Sequence, residues 1–321
     1  MQLVTLEVAS KILHPGIVVD DEILDLVRCV DAMPEANLLP PSWRRILAAG
    51  DAGMVIVRRL YDQAKAGGTL AERLREQNAL VKKESATLAA PIPDPALLLS
   101  CGTNYREHMQ EMGGKSPTAP GSFIKFNGAI IGTGTAIRLP PSNPDWVDYE
   151  GEFSFVFGKH CHQVAEKDAL EHVLGYTLVN DVSAREWAIE SMKLAKTGEV
   201  TELNRSIMYN IHGKNFPTFA PMGPSVVTKD ELPDPHAVTF RTLLNGEQVQ
   251  VGRTADFIFS IPWIIAEFSK FYAFRPGDVV TTGSPPGVGL GQKPPRLLRP
   301  GDRIEIEQDK IGLLSNPVIG G

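Results

Sequence analysis

The pattern of apolar and polar positions changes character near residue 92. Before it, strand-like runs at residues 3–8 and 16–19 give way to helical periodicity over residues 42–66 and again near 70–80. Pro91, Pro93 and Pro95 then stand at every second position, a spacing that blocks helix and marks a linker. Beyond it, short β-type runs follow one another at residues 122–126, 152–157, 176–180, 238–244, 278–282 and 303–307. Gly, Pro and Asn clusters separate them more often than helices do, which predicts an α+β fold. We expect a β-rich main domain over residues 93–321 and a smaller α/β accessory domain over residues 1–92. Asn245-Gly246 is the clearest turn, because that pair tolerates the positive φ of a tight hairpin.

Composition narrows the function classes. Apolar residues make up 43% and charged residues 22% of the 321 positions, an ordinary globular balance. A net charge of −6, with basic pairs as isolated as Arg44-Arg45, offers no stripe to neutralise phosphates, so no nucleic-acid partner is expected. Cys29, Cys101 and Cys161 are too scattered for a disulfide framework or a thiolate zinc site. No basic start precedes an apolar run at the N-terminus, and no apolar segment approaches the roughly 20 residues that span a bilayer. These features predict a cytoplasmic chain with no membrane partner.

Chemistry first surfaces among the carboxylates. In Tyr149-Glu150-Gly151-Glu152-Phe153-Ser154-Phe155-Val156-Phe157, the two-residue period of a strand puts Glu150 and Glu152 on one face and the phenylalanines on the other. We expect a core side and a wet side. Two carboxylates aimed the same way repel each other unless a cation or water lies between them, and a hard divalent ion such as Mg²⁺, Mn²⁺ or Ca²⁺ suits oxygen donors. A solvated strand face is the alternative. A second strand ends on Asp181, and Ser183-Ala184-Arg185-Glu186 has the form of a capping box opening a helix. Asp181 could equally be a turn residue or an ion-pair partner of Arg185.

Following the run at residues 96–99, His108 and Glu111 are three apart on a predicted helix, where a carboxylate can orient an imidazole as a general base. A surface pair is the alternative. Cys101 could be a nucleophile or inert packing, and His160-Cys161-His162 a soft-metal site or an ordinary turn. The glycine-rich stretch at residues 283–291 lacks the Lys-Ser/Thr of a P-loop, so it predicts a rigid loop whose backbone approaches a small ligand.

Taken together, these segments resemble the fumarylacetoacetate hydrolase family from about Leu97 to Pro317. The resemblance rests on Gly102-Thr103-Asn104-Tyr105 with His108 and Glu111, on Phe123-Ile124-Lys125, on Asp148-Tyr149-Glu150-Gly151-Glu152 and on Asn180-Asp181-Val182-Ser183-Ala184-Arg185. Gly213-Lys214 with Pro221-Met222-Gly223-Pro224, and then residues 281–289, complete the series in order. It implies a mixed β-roll core, a homodimer, and a Mg²⁺ or Mn²⁺ site on Glu150, Glu152 and Asp181. His108 and Glu111 would activate water and Lys214 would stabilise developing charge, with Tyr105, Lys125, Arg185 and Thr282 contacting a small keto acid. The implied reaction is hydrolysis of a C–C bond in an acylpyruvate or related diketo acid. Isomerisation, decarboxylation or hydration on the same metal, and plain small-acid binding, are the rival readings. Three departures bear on the substrate: Ala188 where the family often has Gln, Pro217 where it often has Asp, and a longer interval from Ala188 to His212 that could form a lid.

Overall fold

A computed structural model describes residues 1–9, 11–111 and 116–321. The strands that matter here are β1 (Gln2–Ala9), β2 (Ile12–Val19), β3 (Glu22–Asp25), β4 (Leu80–Lys82), β5 (Leu98–Gly102), β6 (Gly121–Lys125) and β7 (Gly151–Phe157). They continue as β8 (Val173–Asn180), β9 (Ala220–Thr228), β10 (Thr239–Leu244), β11 (Glu247–Arg253), β12 (Val279–Thr281), β13 (Arg303–Gln308) and β14 (Gly312–Gly320). The long sheet runs β4-β3-β2-β1-β9-β8-β7-β12-β5-β6, and a second sheet runs β11-β10-β13-β14 and ends on Ile137–Leu139. The fold is α+β with mixed sheets. β1 pairs with β9, Leu3 opposite Val226, so the strands of the first 92 residues continue the main sheet.

The helices break where the backbone requires it. The periodicity at residues 42–66 is two helices, α1 (Trp43–Ala48) and α2 (Asp51–Lys65), divided at Gly50, whose φ of 65° only glycine adopts without strain. α3 (Gly68–Glu76) ends before β4, where the sequence pattern had extended it to residue 80. α4 (Arg106–Glu111), α5 (Arg185–Ala195), α6 (Val200–His212) and α7 (Ile261–Phe268) complete the set used below. At the hairpin, Asn245 and Gly246 take φ of 55° and 82°, the left-handed pair that a two-residue loop between β10 and β11 needs.

Strand β7 is buried on both faces, not on one as its alternation suggested. Phe153, Phe155 and Phe157 join one apolar core with Tyr176 and Leu178, and Phe153 stacks on Tyr176 at 5.2 Å. On the opposite face Val156 and Val179 belong to a second core, shared with the N-terminal helices. A central strand covered on both sides takes no wet face, so polar residues there must be satisfied by the protein or by a ligand.

Strands approach closely at Gly175, where an added Cβ would lie 2.1 Å from the Val227 carbonyl oxygen of β9. Gly175→Ala is expected to destabilise the fold by about 1–3 kcal/mol through overpacking. It should lower the urea midpoint while the far-UV circular dichroism is kept; an unchanged midpoint would mean that β8 and β9 part freely.

Candidate metal centre

Register brings the acids together. Gly151 lies opposite Asn180 in the β7–β8 pair, so Asp181, one step past β8, sits beside Glu150 and Glu152. The Asp181 N–H donates to the Glu150 carbonyl at 2.9 Å, and the Glu150 N–H donates to the Asn180 side chain at 3.0 Å. One oxygen from each of the three carboxylates lies within 4.8 Å of the others, and all three residues are buried.

Cations crowd two of the three. Lys214 donates its three protons to Glu150 at 2.8 Å, Asp181 at 2.6 Å and the Ser183 hydroxyl at 2.8 Å. Lys125 bonds Asp181 at 2.5 Å, and Arg185 bridges Asp148 at 2.7 Å and Glu150 at 2.5 Å. Burial works against the Glu150 charge, but Arg185 and then Lys214 hold its carboxyl well below the usual range. Burial likewise opposes the Lys214 charge, and Asp181 and Glu150 more than offset it.

Glu152 differs. It takes the Ser284 hydroxyl at 2.6 Å and the Gly283 N–H at 3.1 Å, and it has no ion-pair partner among the described residues. Burial, then the charges of Asp181 and Glu150, push it up to about 8. A buried carboxylate beside two others, with neutral donors alone, is the arrangement that a hard divalent cation compensates. The all-oxygen donor set fits Mg²⁺ or Mn²⁺ and offers no soft ligand. One step deeper on this face, Ser100, Thr281, Ser154 and Thr177 stand side by side across β5, β12, β7 and β8, fully buried. They interpose a polar row between the acids and the apolar Leu98, Val279 and Val156.

The acids open into a cavity of about 380 Å³ whose wall includes His108, Arg185, Lys214, Phe123, Ser206 and Ile211. α5 and α6, which occupy the interval suggested as a lid, form one side of it; Trp187 and Tyr209 tie the two helices edge to face at 5.0 Å. His108 Nδ1 lies 3.2 Å from Glu111, and Glu111 accepts the Gly287 N–H at 3.1 Å. Thus Glu150, Glu152, Asp181, Arg185, Lys214 and His108 converge, with Glu111 behind the imidazole.

The other three candidates are engaged with the protein itself. The Tyr105 ring packs on Phe257 at 5.1 Å and is 2% exposed. Lys125 is spent on Asp181, and the Thr282 hydroxyl donates to the Phe153 carbonyl at 2.6 Å. None of the three lines the cavity. Cys101 does, but burial, with Glu152 nearby, pushes its thiol well above the ordinary range, so it is no thiolate nucleophile. Asp181 pairs with the two lysines instead of Arg185. The expected capping box is absent because Ser183 donates to the Asp181 carbonyl and Glu186 takes the amide of Asn143. Cys161 is a buried bridge to Phe274, and His162 turns to the Tyr272 carbonyl, so that trio holds no metal cluster.

Sequence reasoning assigned Asp148 no role. It is fully buried, holds Arg185, and accepts the Gly289 N–H at 2.7 Å and the Leu290 N–H at 3.1 Å. The signal was an acid two residues before Glu150, on the same strand face. The glycine-rich loop therefore does bring its backbone close to polar groups, but those groups are the acids of the site: Glu152, Glu111 and Asp148.

Comparison with known proteins agrees with this geometry. The family profile described as "Fumarylacetoacetate (FAA) hydrolase C-terminal" matches residues 98–319. "Oxaloacetate tautomerase fahd2, mitochondrial" of Xenopus laevis is 37% identical over 292 residues, covering 87% of each chain. "Oxaloacetate tautomerase YisK" of Bacillus subtilis is 36% identical over 307 residues, covering 94% of this chain and 95% of its own. Among solved structures, maleylpyruvate hydrolase from Sphingobium sp. SYK-6 aligns over all of both chains with a TM-score of 0.74 at 25% identity. It has also been solved with manganese(II) and pyruvate, at a TM-score of 0.69. Among the described residues no helix is long and apolar enough to cross a membrane.

The Glu152 shift sets a pH dependence. Its folded carboxyl holds a proton more tightly than the unfolded chain does, so its contribution to stability is fully present below 4.5 and is lost as pH rises through about 8. In EDTA, the urea midpoint should fall from about pH 5 to about pH 9, and Glu152→Gln should flatten that fall. Saturating Mg²⁺ should restore the wild-type midpoint at high pH, by roughly 2.7 kcal/mol at a hundredfold excess over Kd. A midpoint indifferent to metal would contradict the site.

Proposed function

The chain belongs to the fumarylacetoacetate hydrolase family, and on that premise we propose that it is a Mg²⁺- or Mn²⁺-dependent tautomerase of a small 2-keto diacid of the oxaloacetate type. One observation carries the reading: the three buried acids and the His108 imidazole line one small cavity. Supporting it are two oxaloacetate tautomerases that match this chain at 36–37% identity over most of its length.

A divalent ion held by Glu150, Glu152 and Asp181 would supply Lewis-acid polarisation of the 2-keto acid group. The chain's own residues do the rest. Arg185 and Lys214 fix the carboxylate oxygens of Glu150 and Asp181, so the donor set is held in place before any substrate arrives. With Nδ1–H donated to Glu111, Nε2 of His108 is left to take a proton from the carbon beside the keto group and return one at the keto oxygen. The atoms balance: one C–H is lost and one O–H gained. The Gly287 N–H anchors Glu111, and so the imidazole keeps its orientation. α5 and α6 wall one side of the cavity, and would limit water at the exchanging carbon from that side.

Hydrolysis of an acylpyruvate is the second reading, favoured by the full-length likeness to maleylpyruvate hydrolase. There the same imidazole would deprotonate water, and the C–C bond would split into two acids.

Oxaloacetate in D₂O with Mg²⁺ separates the two. Deuterium should enter next to the keto group faster than in enzyme-free buffer, with no split products, and His108→Asn should slow it by about 10²–10⁴-fold. Splitting of acylpyruvates into two acids without faster enolisation would replace this reading by the hydrolytic one.

A further inference from the structure

A second cavity lies away from the acids. It has a volume of about 730 Å³ and is lined by Arg44, Arg45, Lys159, His160 and Arg275, with Asp51 the one acid on its wall among the described residues. These cations come from three separate parts of the chain: α1, the turn after β7, and the loop before β12. Arg44 pairs loosely with Asp94 at 3.5 Å, whereas Arg45, Lys159 and Arg275 have no ion-pair partner among the described residues. In a chain with a net charge of −6, this local excess of positive charge is opposite to the protein's overall sign. Like charges gathered in excess of their counter-charges, here Asp51 and Asp94, cost free energy, and an anion in their midst relieves it.

The shape of the cleft specifies the anion further. Gly50 and Asp51, on its wall, form the start of the fifteen-residue α2, and Gly50 caps that helix with no side-chain acceptor. Free N–H groups of a first turn beside guanidinium forks suit a group with three or more acceptor oxygens and two negative charges. A carboxylate offers two acceptor oxygens and one negative charge, fewer than these donors can engage. Leu47, Ala48, Ala96 and Pro276 supply apolar wall beside the charges, room for a ligand body larger than a bare ion.

We propose that this cleft binds a phosphorylated small molecule, its phosphate held by Arg45, Lys159 and Arg275 and its body against Leu47 and Pro276. The site is separate from the metal centre: Gly158, on its wall, directly follows the strand on which Glu152 stands near the start, six residues or roughly 20 Å away. A ligand there would grip the far end of β7 and is placed to modulate the chemistry without touching it.

Adenosine monophosphate, titrated calorimetrically into the full chain in EDTA at constant ionic strength, tests this. Binding to wild type, competition by inorganic phosphate, and a loss of about tenfold or more in Arg45→Ala/Arg275→Ala would support it. Both side chains are exposed, so the double variant should keep its urea midpoint. The proposal is overturned by no binding of either probe, by equal affinity in the variant, by displacement with sodium chloride alone, or, in EDTA-free buffer, by displacement with oxalate and Mg²⁺ at the metal centre. Retention by Arg45→Lys/Arg275→Lys of part of the lost affinity would further separate charge from a merely structural role.

Discussion

Three carboxylates forced together in a dry strand environment are the constraint around which this molecule is arranged. Glu150, Glu152 and Asp181 cannot all be ionised there without nearby positive charge. The protein supplies it unevenly: Lys214, Lys125 and Arg185 neutralise Glu150 and Asp181, while Glu152 has neutral donors alone. That imbalance makes the cluster a receptor for a cation and not simply a buried ion network. Removing any one of the three basic side chains would leave a buried charge uncompensated, typically a costlier change than the pair's net worth.

The scaffold's contribution is backbone. Residues 283–290 lend N–H groups to Glu152, Glu111 and Asp148, three acids with different duties. Gly289 is confined by the Arg296 carbonyl oxygen at 2.1 Å and Asp148 at 2.6 Å from any added Cβ, so glycine is required where the loop meets the acid. One loop thereby sets the orientation of an acid of the three-carboxylate cluster, of the acid behind the imidazole, and of the acid behind Arg185. The proposed small-acid chemistry would thus be supported by fixed dipoles as well as by charge.

Much of this was legible in the chain. The alternation of Glu and Phe through β7 placed the acids on one face, and the three-residue gap from His108 to Glu111 foretold their contact. Asn245-Gly246 announced its hairpin. What escaped depends on partners distant in sequence. β7 is covered on both sides because β8 and β12 flank it and cores form on either face, which no local period reveals. The union of β1 with β9 joins residues more than 220 apart. Tyr105, Lys125 and Thr282 lie in motifs close to the site, yet none lines the cavity: the Tyr105 ring packs on Phe257, Lys125 is bound to Asp181, and the Thr282 hydroxyl is bound to the Phe153 carbonyl. Ser183 was read as a helix cap because the spacing fits, but the Lys214 ammonium competes for its hydroxyl.

The most direct measurement of the central claim is the anomalous scattering of manganese in crystals grown with Mn²⁺. One strong peak per chain is expected, at bonding distance from oxygens of Glu150, Glu152 and Asp181 together. A peak elsewhere, or none, with the Lys214 ammonium still bridging Glu150 and Asp181, would contradict it.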